Sequence, residues 1–246
     1  MTPTQLEHAK LVVQTVGLLG TLAAAVVAVI TFRRTEKWKR AEFLAAKMKE
    51  FFDDRRVQQA MTLIDWGSRR VLLLDATASD GGVVRVTRQL QTRALLPHTL
   101  VDATAGSDGE GDCDGAVPMR RFSPEEAAIR DRYDAFLDGL ERFAGYVQSG
   151  LVAAQDLRPY VGYWVDDIHA PTKDVEDAEW CAALLTYIHF YRYSGVQQLF
   201  TDFQRDISPG SAAYMGFVGQ MRDQDLASRL AGAAGLRYGS RVGSAG

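Results

Sequence analysis

A run of apolar residues near the amino terminus is the strongest pattern in the chain. Residues 11–32 read LVVQTVGLLGTLAAAVVAVITF and contain no charged side chain. A helix of about 20 apolar residues is long enough to cross the hydrocarbon core of a bilayer, which is roughly 30 Å thick. The pattern therefore predicts a transmembrane helix over residues 11–32, preceded by a short terminus of residues 1–10.

Two alternatives also produce a long apolar run. A cleaved signal peptide would use the alanines at 23–25 as its cleavage site, but Glu7 and His8 do not make a basic amino-terminal region and the apolar residues continue to Phe32. A helix buried in a soluble core is the other alternative. The unequal charge on the two sides of the run argues against it.

Five basic residues follow the run, whereas only Lys10 lies close before it. We call them the basic collar: Arg33, Arg34, Lys37, Lys39 and Arg40. Lysine and arginine beside a span stay on the cytoplasmic side, and they also bind anionic lipid headgroups. The amino terminus is therefore predicted outside and the rest of the chain in the cytoplasm. A chain without asparagine, in which arginine outnumbers lysine, indicates a GC-rich bacterial genome and hence the inner (plasma) membrane.

Helical spacing continues beyond the apolar run. Trp38, Ala41, Ala45, Met48 and Phe52 recur three or four residues apart, which predicts an unbroken helix as far as a break or cap at residues 53–54. This stripe could pack on its own domain or form a seam between parallel copies.

Small residues repeat every four positions inside the run, at Gly20, Ala24 and Ala28. This spacing lets two membrane helices approach closely and favours self-association.

Most of the remaining pattern is helical. Ser123 and Gly150 are the predicted first and last caps of the clearest helix. Further helices are predicted over residues 86–96, 159–168 and 175–193. These patterns place a cytoplasmic helical domain over residues 33–207. The fold class is all-α, with one transmembrane helix that continues into a helical bundle.

Three segments depart from that spacing. Residues 102–117 are rich in glycine and aspartate and are predicted to form a mobile loop. Residues 208–246 form a predicted low-complexity tail with one weak helix near 223–234. Residues 69–74 are a short apolar run that fits either a buried strand or the start of a helix.

Net charge, cysteine content and the lack of known motifs argue against several classes of function. The 246 residues carry a net charge of −3, so no overall positive field attracts nucleic acid, which is not expected as a partner. The two cysteines, Cys113 and Cys181, are predicted to be reduced thiols in the cytoplasm. The sequence contains no phosphate loop, no serine nucleophile motif and no metal-ligand spacing, and it predicts no metal site and no cofactor.

One pair of residues suggests catalysis. Arg93 and His98 are separated by four residues, the spacing found in the helical ribonucleases called HEPN domains. Arginine there stabilises phosphate charge while histidine transfers a proton. Pro97 and Ala94 depart from that pattern, and the alternative is that Arg93 lies on a solvated face while His98 caps a loop.

Aromatic residues concentrate in the second half of the domain. They are either core residues with hydroxyls at the surface, or a groove for a partner helix or a nucleobase with charge from Arg158 and Arg192. The residues are Tyr160, Tyr163, Trp164, Tyr187, Tyr191 and Tyr193.

Several stretches together resemble one bacterial family. They are IRDRYDAFLDGLERF at 129–143, GLV at 150–152, DLRPYVGYW at 156–164, AEFL at 41–44 and IDW at 64–66. The pattern resembles uncharacterised single-span membrane proteins with a cytoplasmic helical domain. The resemblance implies a fold and a location over residues 10–205, and it carries no catalytic residues.

The sequence thus favours a membrane-anchored helical protein that acts by binding a cytoplasmic protein partner or by self-assembly, without catalysis. Its expected partners are the lipid bilayer, other copies of itself and an unidentified protein. The alternatives are a membrane-tethered HEPN-like ribonuclease or an oligomeric membrane effector of a bacterial defence system. One span cannot form a conduit, so the effector requires several copies.

Overall fold

The computed structural model describes residues 3–74, 79–100, 122–170 and 174–236. This part of the chain contains nine α-helices and one two-stranded sheet, which confirms a mostly helical fold. It divides into two units, residues 1–47 and residues 48–246. The boundary falls within the first helix, which continues to Asp53, and the predicted domain start at residue 33 stays a prediction.

Helix α1 (Pro3–Asp53) is a single element, as the continuous spacing predicted. Thr21 and Thr35 donate their hydroxyls to the carbonyls of Gly17 and Thr31, each at 2.9 Å. This internal bonding satisfies polar side chains on an otherwise apolar helix. Of the predicted stripe, Met48 is buried, whereas Trp38 is 65% exposed.

The predicted break lies at residues 53–54. Helix α1 ends at Asp53, and Asp54 caps helix α2 (Arg55–Asp65) by accepting a hydrogen bond from the Arg56 amide at 2.8 Å. Aspartate is favoured there because its carboxylate binds an otherwise unpaired amide. Phe51, in the last turn of α1, packs within 5.9 Å of the Phe136 ring and 5.3 Å of the Phe143 ring.

A hairpin follows α2 and corrects the all-α prediction. Strands β1 (Ser68–Leu72) and β2 (Val83–Thr87) pair antiparallel, and the residues 79–82 before β2 form a 3₁₀ turn. The strand alternative for residues 69–74 is therefore the right one. Valines at 84 and 86 share one face of β2, as the two-residue period of a strand requires. This strand pattern replaces the helix that the sequence predicts from residue 86.

The next two helices lie close to their predicted positions, and the second has the predicted caps. Helix α3 (Arg88–Leu95) starts after Thr87, two residues later than expected. Helix α4 (Pro124–Gln148) begins with a reciprocal capping box between Ser123 and Glu126, and Gly150 after it has a φ of 72°. Both features of α4 confirm the reading of its ends from sequence.

Helices α5 (Ala154–His169), α6 (Val175–Phe190) and α7 (Ser194–Asp202) complete the predicted set with shifted ends. Helix α5 starts five residues before Pro159, which lies inside it. Gly195 lies in the first turn of α7. A β-carbon there would lie 2.9 Å from the Ala144 methyl group, so the glycine permits close packing.

Residues 208–236 contain more structure than the predicted low-complexity tail: α9 confirms the weak helix near residues 223–234, whereas α8 was not predicted. Helices α8 (Ala212–Gln220) and α9 (Gln224–Ala233) pack against α6 and bury Tyr214, Phe217 and Leu230. The abundance of glycine and alanine hid α8, because small residues weaken the apolar spacing. The predicted loop at 102–117 and the last ten residues lie outside the described residues.

Helices α4 and α6 form the centre of the second unit. Helix α4 packs on α2, α3 and α7, while α6 packs on α3, α8 and α9. Their largest buried side chains include Tyr133, Phe136 and Trp180.

Candidate functional site

The apolar segment of α1 is the most unusual surface in the described chain. One helix near the amino terminus is long and apolar enough to cross a membrane, and its most apolar window is not buried. Large side chains along it expose between 52% and 72% of their surface: Leu18, Leu19, Leu22, Val26, Val27, Val29, Ile30 and Phe32. Soluble proteins rarely expose a continuous apolar patch of more than a few hundred Å². Such a surface requires an apolar partner.

The basic collar lies immediately after this segment, on the same helix. All five of its residues are exposed, and Trp38 lies among them. Long basic side chains extend their charge toward water while their methylene groups cover apolar surface, and tryptophan favours the boundary between water and lipid. The sequence of apolar segment, basic collar and tryptophan is what a helix needs at a membrane surface.

The small residues of the apolar segment form one strip of α1, because four residues make slightly more than one turn. Gly20, Ala24 and Ala28 are exposed. A β-carbon added at Gly20 would meet no heavy atom within 4 Å. Nothing in the described chain fills this strip.

Arg93 and His98 are held by different partners. Arg93 Nη2 lies 3.0 Å from Glu126 Oε1, and the Arg93 side chain is 64% exposed whereas that of Glu126 is 2% exposed. His98 follows the end of α3, with its Nδ1 2.9 Å from the Tyr191 hydroxyl and its ring 5.3 Å from the ring of Phe190. These are contacts between packed helices, and the ribonuclease alternative stays a prediction.

The Tyr191 hydroxyl joins His98 to a cation that the sequence did not single out. Arg130 Nη2 donates to this hydroxyl at 2.8 Å, and Arg130 Nη1 donates to the carbonyls of Ala94 and Leu96 at 2.8 and 3.1 Å. Because Arg130 is only a donor, the Tyr191 hydroxyl oxygen accepts in this contact. Arg130 thus closes the carboxyl end of α3, where its charge also suits the helix dipole.

The aromatic cluster divides between core and surface. Tyr187 is buried, and its hydroxyl donates to Asp134 at 2.6 Å, where Tyr193 also donates at 3.0 Å. Tyr163, by contrast, is 63% exposed. The cation over the Tyr187 ring is Arg130, 4.8 Å from its centroid, instead of the expected Arg158 or Arg192.

A second arginine, Arg88, lies buried between α2, α3 and α6. Its guanidinium donates to the Leu63 and Ile64 carbonyls at 2.9 and 2.8 Å, and to Asp177 at 2.7 Å. It also lies 4.0 Å from the ring centroid of Trp180. Arg88 therefore fixes the carboxyl end of α2 to α6.

An open acidic groove of about 590 Å³ lies along α4, beside Asp54 and Arg56. Its carboxylates belong to Asp54, Asp131, Asp134, Asp138 and Glu141. Several already have structural partners, since Glu141 accepts from two amides at the start of α7 at 2.8 and 2.9 Å. No group of three or more potential metal ligands is found among the described residues. The groove therefore gives no metal site there.

Cys181 is the buried thiol of α6. It is 1% exposed and is a free cysteine. Burial raises the pKa of this thiol far above its ordinary value, which keeps it protonated and unreactive. Cys113 lies outside the described residues.

Comparison with known proteins adds no relative. No protein-family model matches the chain, and searches among curated proteins and solved structures give no match.

Proposed function

We propose that this protein is a single-span membrane anchor that holds a helical domain at the cytoplasmic face of a bacterial inner membrane. The observation that carries the proposal is the uncovered apolar segment of α1, followed directly by the basic collar. Transfer of apolar surface out of water is favourable by about 25 cal/mol per Å². A bilayer supplies that environment to all faces of the helix at once.

The charge asymmetry supports the orientation. The collar places five positive charges after the apolar segment, and Lys10 is the only basic side chain close before it. Positive residues resist translocation, so the amino terminus faces outward and the domain faces the cytoplasm.

The domain acts by binding a partner or by self-assembly. Support comes from the charged side chains between the helices, which already have structural partners. Arg88 joins α2 to α6, Arg130 closes α3 and Glu141 caps α7. The exposed small-residue strip supports association between copies. The resemblance to single-span bacterial proteins agrees with this proposal.

Membrane extraction and a topology reporter test the proposal together. The full chain should remain in the membrane after alkaline extraction, and a reporter fused to the carboxyl terminus should be active only in the cytoplasm. Replacing the five collar residues with glutamine, while adding lysines before residue 11, should invert a fraction of the molecules. A matched control replaces five exposed charged residues of the helical domain and should leave the orientation unchanged.

Two results would contradict the proposal. Release of an uncleaved, soluble chain by alkaline extraction would exclude the anchor. A carboxyl-terminal reporter active only outside the cytoplasm would keep the anchor but exclude the orientation.

A further inference from the structure

Two arginines face each other across the hairpin. In the register of the sheet Arg70 lies directly opposite Arg85, and both are exposed. Residues directly opposite in an antiparallel pair have β-carbons about 5 Å apart, and like charges at this separation destabilise the sheet. We call these two residues the arginine pair.

Within residues 3–74, 79–100, 122–170 and 174–236, no acidic side chain forms an ion pair with the arginine pair. The ion pairs of the described residues involve other arginines, such as Arg56, Arg88 and Arg132. The opposite face of the hairpin carries Val71 and Val86, which are buried, so the register cannot slip by one residue without exposing them. The register therefore keeps the two arginines opposite each other on the exposed face of the hairpin.

Trp66 and a third arginine lie at the start of β1, where Arg69 alternates to the opposite face from the arginine pair. Trp66 precedes β1 and is 54% exposed, and the guanidinium carbon of Arg69 lies 5.0 Å from its ring centroid. Arginine recognises phosphate through paired donors, and tryptophan favours the headgroup region of a bilayer. The arginine pair on its exposed face, which follows the exposed Trp66 by a few residues, is complementary to anionic lipid headgroups.

We propose that the outer face of the hairpin binds the phosphate headgroups of an anionic bilayer. This inference rests on the proposed membrane anchor, which keeps a lipid surface at high local concentration around the rest of the chain. Lipid is favoured over nucleic acid because the whole chain carries a net charge of −3, whereas a bilayer surface needs only the local patch. The headgroups neutralise the repulsion within the arginine pair.

The test places a spin label on the hairpin of the full chain in lipid nanodiscs. Ser68, which shares the outer face with the arginine pair, is replaced by cysteine and labelled, with Cys113→Ser. Lipids carrying a nickel chelate on the headgroup relax the label only when it lies among the headgroups. Discs of phosphatidylglycerol are compared with discs of phosphatidylcholine.

Contact should be strong in phosphatidylglycerol and weak in phosphatidylcholine. Each arginine near an anionic surface strengthens binding by about fivefold, so Arg70→Gln with Arg85→Gln should weaken the contact by about 25-fold. The matched control, Arg55→Gln with Arg222→Gln, removes the same charge from exposed positions elsewhere in the unit and should retain the contact. High salt should weaken contact in the unaltered hairpin as well, since screening shortens the range of the attraction.

The outcomes separate the two proposals. A chain that enters neither kind of disc overturns the anchor and this inference together. A chain that enters both discs but shows equal label relaxation overturns the hairpin inference alone, as does contact that survives both high salt and loss of the arginine pair. Relaxation that is independent of lipid charge, with immobilisation of the label by added RNA, would identify nucleic acid as the ligand and also overturn it.

Discussion

Arg88 shows how one residue can organise several elements. Its guanidinium joins the last carbonyls of α2, a carboxylate of α6 and the face of Trp180, and only 8% of its side chain is exposed. The partners lie 24, 25 and 89 residues away along the chain. The sequence alone did not distinguish Arg88 from an exposed arginine, because no local pattern records contacts at such separations. The basic collar, in contrast, was visible because its members are neighbours.

The first prediction concerns Arg88→Met. Loss of the guanidinium leaves two buried carbonyls without their donor, and each buried acceptor left unsatisfied costs about 1–3 kcal/mol. Denaturant unfolding of the full chain in mild detergent measures the free energy of unfolding. Arg142→Met is the matched control, since Arg142 is exposed on α4, and should change it by less than about 0.5 kcal/mol. Equal effects of the two changes would contradict the role of Arg88.

The second prediction concerns pH and Asp138. Partial desolvation on α4, followed by the nearby Asp134 carboxylate, raises the pKa of Asp138 above its ordinary value, although the residue is exposed. The folded state then holds this proton more tightly than the unfolded chain, so ionisation of Asp138 lowers stability as pH rises through that interval. Asp138→Asn should therefore raise the free energy of unfolding at pH 7, and this gain should disappear below the ordinary aspartate pKa of about 3.9. An equal gain at pH 3 and pH 7 would exclude ionisation as its cause.

At the scale of elements, the sequence predicted what local chemistry determines. The break at Asp53, the capping box of α4 and the left-handed Gly150 each depend on residues within a few positions. The hairpin was left undecided because five-residue strands carry too little pattern to be distinguished from a short buried helix. Helix α8 was missed because its burial comes from α6, which lies distant in sequence.

The third prediction concerns the packing of α4 on the last turn of α1. A β-carbon at Gly139 would lie 2.2 Å from Phe51 Cε2, whereas one at Gly145 in the same helix would meet nothing within 4 Å. Gly139→Ala should therefore destabilise the domain by about 1–3 kcal/mol through overpacking. Gly145→Ala should stabilise it by about 0.5–1 kcal/mol, since alanine favours the helix. Thermal unfolding of both variants measures the difference, and a stabilised Gly139→Ala would contradict the packing.

At the scale of the whole molecule, the apolar segment and the helical domain make different demands on their surroundings. The domain buries its own large side chains, whereas the segment exposes nearly all of its own. The position of the apolar segment along the chain could be predicted from sequence, because length and hydropathy are properties of consecutive residues. The partner of the helical domain could not be predicted from sequence, because recognition depends on the surface that the fold assembles.

The fourth prediction concerns assembly through the span. If copies associate along the strip of Gly20, Ala24 and Ala28, the full chain in mild detergent should have the mass of a discrete oligomer. Gly20→Leu with Ala24→Leu should reduce this to a monomer, because bulky side chains prevent close approach of the helices. Val26→Leu with Val29→Leu enlarges the opposite side and should leave the mass unchanged. If the full chain is a monomer, the span does not drive assembly and serves only to tether the domain.

The buried thiol of Cys181 makes the opening of the core measurable inside a bilayer. A thiol reagent can modify it only when the surrounding helices separate, so in the chain with Cys113→Ser the labelling rate follows the open population. No denaturant is needed. A ligand that binds only the closed domain lowers that population as its concentration exceeds its Kd. The labelling rate of Cys181 can therefore be used to screen for the unidentified partner, because slower labelling indicates binding.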